Sequence, residues 1–318
     1  MLVSAPHKEP QSAAAVLMVR PARFGFNPQT AASNVFQQDT SPQGAEAARI
    51  HGAALAEFDA LAGGLARAGV QVVVARDTVE PAKPDAIFPN NWVSFHRDGT
   101  VVLYPMMAPN RRLERRDEVL AELAAAGAFR ITRTVDLTHR EELGQYLEGT
   151  GSLVLDRPRH LAYANISPRT DLNALGEFAQ QLDYELVTFE SVDRGKPVYH
   201  TNVMMAIGES FAVMCAESIV DTRSRDAVRA TLAASGREIV EISLGQMQAF
   251  AGNVLELAPP GSRVIALSTT AWGCLDAHQR RSLEKHGNVL TAEIPVIERF
   301  GGGGVRCMLA EVHLPPRL

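Results

Sequence analysis

The sequence predicts a single α/β domain of about five ββαβ units around a pseudo-fivefold axis, and three observations lead to it. Five short segments read alike: Asp85–Asn91 (DAIFPNN), Glu148–Ser152 (EGTGS), Tyr199–Met205 (YHTNVMM), Ala249–Leu255 (AFAGNVL) and Gly301–Met308 (GGGGVRCM). Their counterparts Asn91, Glu148, His200, Asn253 and Cys307 recur at a little over fifty residues, a period that signals stacked or closed supersecondary units. Each segment also opens the same series: an apolar run, a turn, a second apolar run, a helix pattern and a third run. Finally, the fifth unit is divided between the two ends of the chain, which closes a ring within residues 1–318. An open doubly wound sheet is the alternative, but it would usually lack motif-bearing hairpins.

In the first complete unit, Trp92–Phe95 leads through Arg97-Asp98-Gly99 to Thr100–Tyr104, and Asp-Gly between β-formers is a hairpin signal. Arg111–Ala126 carries Leu113, Val119, Leu120, Leu123 and Ala124 at helical spacing, with Gly127 as the stop and Phe129–Ile131 as a following strand. Next, Leu153–Leu155 and His160–Ala164 are strands around Arg157-Pro158, followed by a helix over Asp171–Leu182. Val203–Ile207 and Phe211–Cys215 flank Gly208-Glu209-Ser210, and Asp221–Ala234 is a helix ended by Gly236. Val254–Leu257 and Arg263–Leu267 flank Pro259-Pro260-Gly261, and Asp276–His286 is a helix ended by Gly287. The split unit takes its last strands from Cys307–Leu314, and the rest from Ala15–Val19 and a helix over Gly44–Ala68. That helix face is apolar enough to suit either its own core or a homo-oligomer.

Bulk composition narrows the class. Nearly half the residues are apolar and 21% are charged, as in an ordinary globular enzyme. The 31 basic and 36 acidic residues leave a net charge of −5, which does not suit nucleic acid. Arg111-Arg112 and Arg115-Arg116 alternate with acids, as on a solvated helix face. No apolar stretch has the eighteen or more residues of a membrane helix. Glu9-Pro10 and Gln11-Ser12 interrupt any signal-peptide pattern. Cys215, Cys274 and Cys307 have unrelated spacing, which points away from a disulfide framework or zinc site and toward a reduced, cytoplasmic setting. No dinucleotide or P-loop fingerprint surrounds Gly301–Gly304, so no cofactor and no metal are expected.

The candidate chemistry sits on the repeated segments. Cys307 follows four glycines, which let backbone pass close to a ligand and leave a thiolate accessible. Cys215 and Cys274 read as small buried hydrophobes. His200 can take and give a proton near neutral pH. Glu148, on a glycine-rich turn, suits orienting an imidazole or binding a cation, or else capping exposed backbone. Asp85, Asn90 and Asn91 are polar groups in an apolar run, and each needs a partner if buried. The remaining histidines, His7, His51, His96, His139, His160, His278, His286 and His313, are expected at helix surfaces, turns or termini without a role.

The combination Asp-x-x-Phe-x-x-Asn, Glu-Gly-x-Gly, His-x-Asn and C-terminal Gly-Gly-Gly-x-x-Cys resembles the guanidine-modifying, or pentein, superfamily over essentially the whole chain. That group includes arginine deiminases, dimethylarginine dimethylaminohydrolases, succinylarginine dihydrolase and glycine amidinotransferases. PDAIFPNNWVSFH and IERFGGGGVRCMLAEVHLP look like its bacterial amidinotransferase-related branch, which includes citrulline-utilisation hydrolases. The resemblance implies a five-bladed α/β propeller with an axial substrate channel. It implies Cys307 as nucleophile, His200 as general acid/base, Glu148 as its carboxylate partner and Asp85 on the substrate's guanidinium. It further implies Arg111 and Arg169 on the α-carboxylate, a role that a planar guanidinium fork suits.

Many deiminases and dimethylaminohydrolases carry acids where this chain has Asn90, Asn91 and Asn202. Amides weaken a cation site and favour a neutral group, because Asn both donates and accepts. The expected activity is therefore cysteine-dependent hydrolysis of citrulline to ornithine, ammonia and carbon dioxide. Arginine deiminase or dimethylarginine dimethylaminohydrolase chemistry and transfer to an amine are the alternatives. A papain-like peptidase would place cysteine before histidine, and a non-catalytic binding ring would need no reactive thiol.

Overall fold

The structure is a computed structural model that describes residues 9–31, 33–34, 36–37 and 43–317; His7 lies outside them. Five three-stranded sheets share one topology, in which an antiparallel hairpin is followed by a helix and a parallel third strand. Ala310–Val312 pairs antiparallel with Ala15–Arg20, which runs parallel to Gln71–Arg76 after the helix Gly44–Arg67. Val93–Phe95, Thr100–Leu103 and Arg133–Asp136 form the second sheet, and Leu153–Asp156, Leu161–Asn165 and Glu185–Phe189 the third. Met205–Ile207, Phe211–Met214 and Glu238–Glu241 form the fourth, and Leu255–Leu257, Val264–Ser268 and Asn288–Ala292 the fifth. A short hairpin, Val192–Asp193 with Lys196–Pro197, lies apart.

The chain order within each sheet follows burial. The opening strands Val93–Phe95, Leu153–Asp156, Met205–Ile207 and Leu255–Leu257 are buried throughout, whereas the third strands are largely exposed. Helices cover the sheets and are set by local signals. Asp171, Asp221 and Asp276 each cap a helix start by accepting backbone N–H groups, which supplies donors that the first turn otherwise leaves unpaired. Gly44–Arg67 buries Ile50, Ala54, Phe58, Leu61 and Leu65 against its own chain, including the helix Pro295–Gly301. No helix among the described residues is long and apolar enough to cross a membrane.

Several expectations need correction. The helix predicted over Arg111–Ala126 is two helices, Pro109–Arg112 and Asp117–Ala126, because the Arg111 guanidinium turns inward to Glu114 and Asn91. Arg111 is therefore buried, not part of a solvated face. The following strand is Arg133–Asp136, not Phe129–Ile131, and Phe129 instead bridges Pro316. The strand expected from Val203 starts at Met205, since Thr201–Met204 is a helical turn. His96 and His313 are buried, and Ser94 holds the His96 ring at 2.9 Å.

Candidate active site

Four of the five repeated segments contain a tight turn just ahead of a strand. These turns are Pro89–Asn91, Gly149–Ser152, Thr201–Met204 and Val305–Met308. Gly149–Ser152 touches both Pro89–Asn91 and Thr201–Met204, and Pro89–Asn91 touches Val305–Met308. Cys307, His200, Asp85, Asn91, Arg111 and Arg169 consequently line one cavity with about 270 Å³ of atom-free space, although they come from distant parts of the chain. Glu148 sits behind His200, and Asn202 sits beside the Cys307 sulfur. Asn90 does not line the cavity, yet both its amide atoms lack a partner.

His200 Nε2 lies 2.9 Å from Glu148 Oε2, so the carboxylate takes that N–H and leaves Nδ1 as the basic nitrogen. Close approach depends on Gly151: a Cβ there would stand 2.7 Å from His200 Nδ1 and 2.5 Å from Asn91 Nδ2. Burial holds His200 down at about 4 against the opposing pull of Glu148. Burial also pushes Glu148 up, but Arg169, His200 and Arg111 together outweigh it and keep the carboxylate well below its ordinary range. The resting pair is neutral imidazole beside carboxylate. Glu148 further accepts the Met107 N–H at 3.1 Å and Arg169 Nη1 at 3.3 Å.

Burial raises the Cys307 thiol, while Asn253, the Arg306 charge and Asn202 pull the other way. Asp85 Oδ2 accepts from Asn27 Nδ2 at 2.7 Å and Thr30 Oγ1 at 3.1 Å, whereas Asp85 Oδ1 has no partner. Arg111 is gripped by both Glu114 oxygens at 3.0 and 2.9 Å and by Asn91 Oδ1 at 2.9 Å. Arg169 bonds to the Ser33 hydroxyl at 2.7 Å and the Thr30 carbonyl at 3.0 Å, and lies 4.8 Å over the Tyr199 ring. Both arginines thus reach the cavity, each already engaged by protein acceptors.

Five residues of the site received no role from the sequence. Asn253, 3.2 Å from Cys307 Sγ, occupies the repeat position of His200 and Cys307 and was visible there. Glu114 stands three residues after Arg111, a spacing that marks a helical pair. Tyr199 adjoins His200 and donates to the Gly302 carbonyl at 2.8 Å. Asn27 and Thr30 carry no local signal. Among the described residues no group of His, Cys, Asp and Glu could hold a metal ion.

The family profile described as N,N dimethylarginine dimethylhydrolase, eukaryotic, matches residues 20–314. No curated protein matches the chain by sequence. Among solved structures, the N-terminal domain of the cyanobacterial arginine dihydrolase ArgZ, bound to substrate, is 16% identical with a TM-score of 0.71, covering 96% of this chain and 99% of that one. AgrE with ornithine and NAD+ is 18% identical with a TM-score of 0.71, covering 96% of this chain but 40% of AgrE. A dimethylarginine dimethylaminohydrolase adduct with S-methyl-L-thiocitrulline is 13% identical with a TM-score of 0.61, covering 94% and 99%. At these identities the likeness concerns the mixed α/β fold with small sheets, of the pentein type. The chain belongs to the eukaryotic N,N dimethylarginine dimethylhydrolase family and, with it, to the pentein-type hydrolases of carbon–nitrogen bonds other than peptide bonds.

Proposed function

We propose that the chain hydrolyses a ureido or guanidino C–N bond of an arginine-like amino acid through a covalent Cys307 intermediate, with citrulline as substrate. The observation that carries the substrate choice is the pair of buried polar atoms left without partners on cavity-lining residues: Asp85 Oδ1 and Asn91 Nδ2. Orphaned donors and acceptors in one place call for a ligand that both donates and accepts. A ureido group does so.

Charge supports the same choice. Asp85, Glu114 and Glu148 face Arg111 and Arg169, leaving one carboxyl in excess. Burial raises Asp85; burial and the neighbouring carboxylates push Glu114 up to about 7 in spite of Arg111. A proton on Glu114 balances the cluster without a cation, which leaves the free Asp85 Oδ1 to accept a ureido N–H. The same excess favours a second reading: fully ionised, the cluster suits the guanidinium of arginine, the compound named in the ArgZ comparison.

In the proposed reaction the Cys307 proton passes to His200 Nδ1, and the thiolate attacks the ureido carbon. The imidazolium returns the proton to the departing ornithine nitrogen, which leaves carbamoyl-Cys307. His200 then takes a proton from water, and hydrolysis frees the thiol and carbamate, which decays to ammonia and carbon dioxide. Glu148 stabilises the imidazolium in both halves. Arg169, whose Ser33 contact is a neutral placeholder, receives the α-carboxylate with support from Arg111, and Asn202 stands beside the sulfur. We further infer one closed five-bladed domain over residues 1–318, which contacts between successive sheets support.

Turnover of citrulline, arginine, methylated arginines and agmatine, measured side by side with and without glycine or ornithine as acceptor, tests this reading. Citrulline is expected to give ornithine with the highest kcat/KM, unaffected by the acceptor. A clear preference for arginine removes the citrulline assignment, and acceptor-dependent product makes the enzyme a transferase.

A further inference from the structure

We infer that Asn253 is a positioning residue for the nucleophile, its side-chain N–H fixing the Cys307 sulfur and steadying the thiolate. The inference rests on the reading of Cys307 as nucleophile. Asn253 is buried; its Nδ2 lies 3.2 Å from Cys307 Sγ and 3.1 Å from the Asn202 carbonyl, while its Oδ1 accepts the Arg306 N–H at 3.0 Å. These bonds decide the amide's orientation. Oδ1 must face the backbone donor, so Nδ2 must face the sulfur. Gly304 makes the approach possible, because a Cβ there would stand 2.6 Å from Asn253 Oδ1.

The charged groups around the sulfur are otherwise occupied. His200 is held by Glu148, while Arg111 and Arg169 bond to carboxylates and carbonyls, and Asp85 bonds to Asn27 and Thr30. Tyr199 donates to Gly302, and the Arg306 guanidinium bonds to Leu309 and Glu311. The other amide at the sulfur is Asn202, with Nδ2 at 3.6 Å and Oδ1 at 4.0 Å, longer than the Asn253 contact. A donor to an ionised sulfur is stronger than one to a neutral thiol, so Asn253 favours the reactive form. Asn253 does not line the substrate cavity, so its loss should act on kcat rather than KM.

The test compares Asn253→Asp with Asn253→Ala. Aspartate keeps the oxygen for the Arg306 N–H and turns a carboxylate oxygen toward the sulfur; alanine removes both contacts. Iodoacetamide labelling of Cys307 across pH, read by peptide mass spectrometry, gives the thiol's titration midpoint, with kcat and KM measured alongside. We expect the midpoint to rise by about one to two pH units in Asn253→Asp, the equivalent of losing a charge-assisted hydrogen bond, with a smaller rise in Asn253→Ala. A kcat at least tenfold lower at unchanged KM should accompany the shift. An Asn253→Asp midpoint equal to the wild type, with only Asn253→Ala impaired, would mean a structural role and overturn the inference. If Asn253→Asp does not fold, the Asn253→Ala midpoint decides by itself, and an unmoved value is again fatal. Turnover retained by Cys307→Ser would remove the nucleophile reading separately, since the labelling midpoint is measured without turnover.

Discussion

Gly151→Ala tests whether imidazole placement limits the reaction. The added Cβ would sit 2.7 Å from His200 Nδ1, where ordinary contact begins at 3.4 Å, so the ring must yield by about 3.4 − 2.7 = 0.7 Å. The Asn91 amide must also move, since its Nδ2 would be only 2.5 Å away. His200 cannot retreat freely, because Nε2 is tied to Glu148 at 2.9 Å and Glu148 to Arg169. A displacement approaching 1 Å at a catalytic group costs up to about 10²-fold in rate. Overpacking a buried site of this kind costs about 1–3 kcal/mol of stability. The expected result is therefore a kcat some 10- to 100-fold lower, roughly, with a modestly lower Tm. Steady-state kinetics and thermal unfolding of the purified variant supply both numbers. Wild-type kcat in Gly151→Ala would refute the reasoning, because the clash could then be absorbed without consequence for catalysis.

The ratio of kcat/KM for citrulline over arginine should fall as pH rises through about 7, because the proton that Glu114 holds is then lost and the cluster gains negative charge; measuring a ratio cancels titration of the common thiol. A ratio independent of pH would separate the carboxyl cluster from specificity. Glu114 titrates in the folded chain at about 7 against an ordinary value of 4.5, so its proton stabilises the fold at low pH and that contribution is lost between those values as pH rises. Unfolding at several pH values should show a shallower decline over that window in Glu114→Gln. Gly176→Ala should stabilise the chain by about 0.5–1 kcal/mol without touching kcat, since this exposed helical glycine has open space around it; denaturant unfolding checks it.

The hairpins and helix starts were legible because each is a local decision. Asp98-Gly99 makes one turn, and Asp171, Asp221 and Asp276 cap three helices where the apolar spacing begins. The third strands were harder to place. Arg133–Asp136 buries only Val135, so an exposed outer strand leaves almost no period-two signal, and the more apolar Phe129–Ile131 drew the assignment instead. The break after Arg112 was invisible for a different reason. It follows from an inward arginine, a tertiary demand that overrides helical spacing. The repeat brought Cys307, His200, Glu148 and Asn91 into view because equivalent positions share a rim. Asn253 was placed in the same register but given no role, because an amide suggests no chemistry until a sulfur is found beside it. Asn27 and Thr30, which hold Asp85, come from a segment that lies outside the repeat.

The most direct measurement is a rapid acid quench of enzyme turning over citrulline, followed by mass spectrometry of the peptide that carries Cys307. A carbamoyl adduct on that sulfur, transient in the wild type and absent from Cys307→Ser, is the predicted result. Ornithine released at full rate with no modified Cys307 at any quench time would contradict the account.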